Sequence, residues 1–292
     1  MSTWIQLIVT GITMGSIYSL VGLGFVTIYR TSHVVNMAQG GFVMLGSFFA
    51  YSFLKEVGLP YWLSIILGLA GVVVISVAMY MLVLKPIMKQ SLVNMILATV
   101  GFSLLFESAA LIKWGGYGLA VPSFTGDKML KVGGVAVAPQ SLWIIGIMLV
   151  IFVLLHILSS RTRIGKQMTA TATNPDAARG SGISTNLVII LAFAISAVIG
   201  ALGGMAISPL ITISYLSGGV FGLSGFVGAI LGGWGSSGGA VIGGLTVGVL
   251  QSVATGWLPA GYSDAIAFGL LILILYFRPR GLLGTTMSEG EM

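Results

Sequence analysis

The chain has 292 residues, of which only 13 are Lys or Arg and 7 are Asp or Glu. Charged residues make up 7% and hydrophobic ones 57%, with a mean hydropathy of +1.06, where an ordinary soluble domain carries roughly 25% charge. This excludes a cytosolic enzyme, a nucleic-acid binder and a disordered protein, and leaves a polytopic α-helical membrane protein. Glycine is abundant at 43 residues but follows no G-X-Y period, so collagen is excluded as well. The absence of Cys rules out disulfides, Cys-ligated zinc and iron–sulfur clusters, and two His (His33 and His156) are too few for a His-built metal site. The net charge of +6 comes from basic residues standing singly between apolar spans, a pattern of topology signals rather than of nucleic-acid binding.

The first uncharged stretch, Trp4 to Tyr29, is 26 residues long and spans a bilayer. No basic region precedes it, and it is too long for a signal peptide. A polar interruption follows, from Arg30 to Gly40. A second apolar stretch runs from about Phe42 to Leu54, with a start as early as Met37 possible. The third covers Tyr61 to Leu84, and Lys85-Pro-Ile-Met-Lys89 breaks the chain. The fourth, Leu92 to Ile112, contains Glu107. Trp114 to Gln140 is a polar, Gly-rich connection. A fifth span, Ser141 to Leu158, leads into the most polar stretch, Ser159 to Thr185, and a sixth runs from Asn186 to about Ile207. From Gly200 to Gly248 there are 16 Gly in 49 positions, so the two apolar elements there, Leu216–Leu231 and Gly239–Thr255, read as short or interrupted. The last span is Asp264 to Phe277, closed by Arg278-Pro279-Arg280. The expected fold is an all-α transmembrane bundle of eight or nine elements in a single domain, 1–292.

Within Ser159–Thr185, Arg161, Arg163, Lys166 and Arg179 face a single Asp176, which makes this stretch cytoplasmic by the positive-inside tendency. Counting spans back puts the N-terminus outside, and an odd total puts the C-terminus inside. Trp4, Trp62, Trp114, Trp143 and Trp257 then share the outer interface, with Trp234 the exception. Gly40-Gly41-Phe-Val-Met-Leu-Gly46 echoes Gly238-Gly239-Ala-Val-Ile-Gly-Gly244. Paired broken helices in two halves point to a translocation pathway, though the echo is short and rich in Gly.

Four features bear on function. In the polar stretch, Gly165–Ala172 predicts a short helix. Asn174-Pro175 caps and starts a second helix, and Gly180-Ser-Gly182 ends it. Two short helices flanked by Arg suit docking to a soluble partner, and a loop that only fixes topology is the alternative. In the Arg30–Gly41 interruption, Asn36 and Gln39 can satisfy broken backbone or line a polar passage, while Gly40 and Gly41 allow close approach; a simple cytoplasmic turn is the alternative. Trp234–Gly239, with Ser236 and Ser237, reads the same way. Glu107 is the one acidic residue well inside an apolar span, where carboxylates are functional candidates. A substrate ammonium could partner it, or an ion pair with Lys113 or another helix could. The ladder Gly222, Gly225, Gly228, Gly232 and the pair Gly244, Gly248 make smooth faces for close helix packing. Gly165-Lys166 is not a phosphate-binding loop, because no Gly precedes it by five residues and Gln167 stands where Ser or Thr is needed. No carboxylate pair or activated nucleophile is visible, so no enzyme activity is expected.

Taken together, Gly165, Asn174-Pro175, Ala177-Ala178 and Gly182-Ile183 resemble the coupling segment of the branched-chain amino acid ABC transporter permeases. Asn36-Met-Ala38-Gln39-Gly40, continuing into Met44-Leu45-Gly46, is similar to another signature of that family. Leu231-Gly232-Gly233-Trp-Gly235-Ser236 and Phe277-Arg278-Pro279-Arg280-Gly281 also match. The resemblance covers essentially the whole chain. It implies a permease subunit in the bacterial inner membrane that pairs with itself or a related second permease. Two ATPase subunits, which bind ATP and Mg2+, dock on the cytoplasmic loops, and an extracytoplasmic binding protein delivers the solute. On this reading Arg161, Arg163, Gly165, Asn174, Pro175, Asp176, Arg179, Gly182 and Ile183 couple to the ATPases. Asn36, Gln39, Gly40, Gly41, Glu107, Ser236, Ser237, Gly238 and Gly239 line the pathway. The solute would be a branched-chain amino acid or a related small amide or carboxylate. An ion-coupled transporter or channel is the competing reading, and Glu107 is its one available coupling carboxylate.

Overall fold

The computed structural model describes residues 2–257, apart from Lys89, Asp127, Gly133 and Gly134, together with scattered positions up to Leu283. The expected last span, 264–277, and Arg278–Arg280 lie outside this continuous described part. Eleven helices run in chain order: α1 (Ser2–Ser32), α2 (Gln39–Tyr51), α3 (Tyr61–Met79), α4 (Lys85–Ile87), α5 (Leu92–Trp114), α6 (Pro139–Arg161), α7 (Arg163–Thr173), α8 (Pro175–Gly180), α9 (Thr185–Ile207), α10 (Ser217–Gly232) and α11 (Ser237–Thr255). A small antiparallel hairpin, β1 (Leu130–Val132) and β2 (Val135–Val137), lies between α5 and α6. Among the described residues six helices are long and apolar enough to cross a membrane, and α10 is a shorter apolar helix. The fold is thus a polytopic all-α bundle, since in lipid each spanning segment must satisfy its own backbone hydrogen bonds.

Local chemistry sets the helix ends. Ser91 caps α5 by accepting from Asn94 N at 3.3 Å, and Gly115 closes it at φ +80°. The expected break within Lys85–Lys89 starts at Met88, because the helical path continues through α4 to Ile87. A π-helical turn, Tyr80–Leu84, immediately precedes Pro86. Widening that turn accommodates a residue that cannot donate to the ladder, so the helix continues one residue past the proline before it ends.

Burial separates an inner set from an outer ring. Within their apolar windows, α1 is 67% and α9 61% buried, against 28% for α3 and α6 and 22% for α5. Glycine makes the inner set possible. A Cβ on Gly11 would lie 2.6 Å from Val249 Cα, and one on Gly15 2.8 Å from Leu245 Cα. The backbones of α1 and α11 therefore touch, as small-residue faces allow in lipid. The ladder from Gly222 to Gly232 and the pair Gly244, Gly248 lie in such contacts. Hydroxyls add links between helices. Ser19 Oγ donates to Val241 O at 2.9 Å, Ser76 Oγ to Phe193 O at 3.1 Å, and Ser252 Oγ to Leu7 O at 2.6 Å. Such bonds contribute roughly 0.6 kcal/mol each in membranes.

The two ends of the bundle differ. One end gathers Trp4 on Trp257 (5.6 Å between centroids), Trp114 bonded to Ser52, Trp143 against Phe124, and Phe124 against Tyr61, the neighbour of Trp62. The hairpin joins this end through Gln6 Nε2, which donates to Ala136 O. The opposite end carries α7 and α8, with His33 Nε2 against Ala172 O and Trp234 against Tyr29. Arg30 and Lys85 line cavities there beside residues of α7.

Candidate functional site

At mid-height two short helices begin side by side and run apart. In α10, Phe221 and Phe226 stack on Tyr18 and Phe25, so α10 runs parallel to α1 toward the α7 end. In α2, Gln39 bonds Ser196 and Gly46 meets Ala201, so α2 runs parallel to α9 toward the Trp-rich end. Their first turns touch: a Cβ on Gly222 would lie 3.2 Å from Gly40 Cα. Neither helix has a side-chain N-cap. Gln39 N and Ser217 N bond Asn36 O and Ser214 O, and the N–H groups that follow in each first turn, with the positive end of a helix dipole, meet inside the bundle.

The break that creates α2 is satisfied from neighbouring helices. Gln39 is fully buried, and its Nε2 donates to Ser196 O at 3.1 Å while Ser196 Oγ donates to its Oε1 at 2.6 Å. Thr99 of α5 accepts from Met37 N at 3.1 Å and approaches Val35 O at 3.4 Å. The Gln39 amide thus ties the start of α2 to the middle of α9. Asn36 is also buried; its Oδ1 accepts from Ala38 N at 3.2 Å, but its Nδ2 has no partner. Gly40 faces Gly218 and Gly222, and Gly41 takes the ring of Phe106.

Glu107 completes this junction. A Cβ on Gly219 would lie 3.4 Å from Glu107 Oε1, so the carboxylate stands against the first turn of α10. Lys113 pairs with Glu56 at 3.6 Å, so of the alternatives for Glu107 the Lys113 ion pair does not form. Glu107 forms no salt bridge among the described residues. Asn36, Gln39, Gly40, Gly41 and Glu107 are thus brought together. Ser236, Ser237, Gly238 and Gly239 are not. Ser236 caps α11 by accepting from Gly239 N at 3.1 Å, and Ser237 lines a small cavity with Arg30 and Gly165 at the α7 end. The sequence echo therefore joins two helix starts at different heights, and the true neighbours of Gly40 are Gly218 and Gly222. Sequence reasoning missed Thr99, Ser196 and the glycines opening α10, because their partners lie far along the chain. The double glycine Gly218-Gly219 was the one visible signal.

The second group of candidates forms a compact unit at the far end. Arg161 ends α6, and Thr162 caps α7 by accepting from Gly165 N at 3.1 Å. Arg163, the first residue of α7, is exposed. Gly165 lets α7 sit on the end of α6, since a Cβ there would lie 2.6 Å from Ser159 Cα. Asn174 Oδ1 accepts from Asp176 N and Ala177 N at 3.1 and 3.0 Å, and Pro175 starts α8. Gly182, at φ +81°, closes α8: Gly182 N bonds Arg179 O and Ile183 N bonds Ala178 O, a Schellman pattern. Ile183 packs against a small cluster of Met168, Val188 and Ala192. Asp176 and Arg179 pair at 2.7 Å across an exposed turn. Asn174→Ala is expected to cost about 1 kcal/mol of local stability. Amide exchange at 176–180 should then rise roughly five-fold, with the bundle helices unchanged.

Comparison with known proteins decides what these features belong to. The sequence pattern of the branched-chain amino acid transport system / permease component family matches residues 7–275. The chain belongs to this family. It is 28% identical over 301 residues to the high-affinity branched-chain amino acid transport system permease protein LivH of Escherichia coli (strain K12), covering 98% of this chain and 97% of that protein. BraD of Pseudomonas aeruginosa, of the same description, is 28% identical over 305 residues, with 98% and 97% coverage. Among solved structures, a chain of PsaBC from Streptococcus pneumoniae in complex with Fab aligns at TM-score 0.49 and 17% identity, over 96% of this chain and 91% of that one. The protein is thus a multi-pass permease subunit of an ABC importer. Such subunits are not enzymes, and they work with ATPase and binding-protein components. The ion-coupled alternative is not favoured.

Proposed function

We propose that this permease carries a branched-chain amino acid across the bacterial inner membrane, as a single transmembrane domain paired with a second permease subunit. The observation that carries this reading is the meeting of the uncapped first turns of α2 and α10 beside Glu107. A zwitterion suits that junction: N–H groups at helix starts favour a carboxylate, and Glu107 favours an ammonium. The relatives LivH and BraD, named for branched-chain amino acid transport, point to the same solute. The exposed apolar face of α5, with Leu97, Val100 and Leu104, is the surface on which the second permease closes the pathway.

The α7 end, with Arg161, Arg163, Lys166 and Arg179, faces the cytoplasm by its basic residues, and the Trp-rich end faces outward. Two ATPase subunits hold the α7–α8 unit and supply the ATP and Mg2+ sites, and their closure tilts α6 and α9 through it. Ser236–Gly239, beside α7, transmits that movement into α11. A binding protein delivers the solute at the Trp-rich end, so the N-terminus lies outside and the C-terminus inside.

Proteoliposomes with both permeases and both ATPases are expected to accumulate labelled leucine only with internal ATP and loaded binding protein outside. The permease alone is expected to move none. Accumulation by the permease alone, or an ATPase complex unaffected by changing Arg163 and Arg179 to Glu, would overturn the reading.

A further inference from the structure

A cavity of about 410 Å3 opens at the α7 end, outside the junction of α2 and α10. That volume falls in the range of small-molecule sites, roughly 300–1,000 Å3. Its walls come from the end of α1, the turn between α3 and α4, the α7–α8 unit and the start of α9. Lys85, Arg179 and His33 line it, and no carboxylate does. Lys85 forms no salt bridge among the described residues. Arg179 uses one nitrogen on Asp176 and its Nε on Thr185, and a guanidinium has five N–H donors.

One further observation points to a ligand. Thr171 lines the same cavity, is 2% exposed, and its Oγ1 has no hydrogen-bond partner among the described residues. A buried hydroxyl without a partner is costly. His33 holds a left-handed backbone, φ +55°, and its Nε2 lies 3.2 Å from Ala172 O, fixing the end of α1 to α7. Tyr80, Met88 and Ile189 give the cavity an apolar wall.

We propose that this cavity binds a phosphate-bearing anion, either a phospholipid headgroup or a soluble phosphate ester. Lys85 and Arg179 neutralise the charge, and Thr171 donates to a phosphate oxygen. Because one wall is the α7–α8 unit and the others belong to the bundle, the occupant braces that unit against α3 and α9. The site is independent of the transported solute.

The test uses the purified importer complex and native mass spectrometry. It is titrated separately with dioleoylphosphatidylglycerol, with dioleoylphosphatidylcholine and with inorganic phosphate. Phosphatidylglycerol retained in preference to phosphatidylcholine identifies the headgroup, and phosphate retained without lipid identifies a soluble ester. In either case Lys85→Gln is expected to weaken retention about ten-fold and Thr171→Val at least three-fold. Thr171→Val keeps side-chain volume and removes a hydroxyl that the fold leaves unpartnered, so complex assembly is its control. Retention of neither anion, or retention unchanged in either variant, overturns the proposal.

Discussion

Replacing Gly40 with valine is expected to reduce ATP-driven uptake below a tenth of the native rate and to lower the melting temperature of the purified complex. A Cβ at Gly40 would lie 2.6 Å from Gly222 Cα and 2.7 Å from Gly222 N, and closer still to the Gly218 carbonyl oxygen. All three obstacles are backbone, so no side chain can rotate away. The first turn of α10 must move instead, and it carries the N–H groups that face Glu107. Overpacking of this kind costs about 1–3 kcal/mol, or a few degrees in melting temperature for a chain of this size. The functional loss should exceed the stability loss, because displacement by an ångström ruins a site that still folds. Gly146 on α6 is the control: nothing lies within 4 Å of a Cβ there, and Gly146→Ala is expected to be neutral or slightly stabilising. Normal uptake in Gly40→Val would remove the α2–α10 contact from the pathway.

The contrast between Gly40 and Gly146 shows what the sequence could reveal. Long apolar runs located α1, α3, α5, α6 and α9 to within a few residues, because length and hydropathy alone decide whether a segment spans a bilayer. The α7–α8 unit was legible because its determinants are local: Asn174 caps within three residues, and Gly182 closes the same helix. The junction of α2 and α10 was legible only in part. That Asn36 and Gln39 sit at a break follows from their polarity inside an apolar region. That Gln39 bonds Ser196, 157 positions away, does not. Nor does any local signal give the height at which α10 begins, which depends on Gly40 receiving it. The same limit explains why Gly238-Gly239 looked like the partner of Gly40-Gly41. A short glycine pattern records that a helix can start or pack closely, not where in the membrane it does so.

Glu107→Gln is expected to reduce leucine uptake about 10- to 100-fold while leaving complex assembly and melting temperature near native values. Loss of a hydrogen bond to a charged group costs about 1.5–3 kcal/mol, and 1.4 kcal/mol is a factor of ten. Stability should change little, because Glu107 forms no salt bridge among the described residues and its role lies toward an incoming cation. The substitution also separates two explanations of the junction. If the carboxylate only complements the dipole of α10, glutamine should cost about 0.3–1 kcal/mol of stability and affect leucine and its deaminated analogue, 4-methylpentanoate, alike. If it receives the ammonium, leucine should lose its advantage over the analogue selectively. Uptake of each solute by the same proteoliposomes, with the binding protein loaded with that solute, reads the difference directly. Full leucine uptake in an intact Glu107→Gln complex would leave the junction without a group that selects an ammonium. The case for a zwitterionic solute would then fail, even though the chain remains a permease.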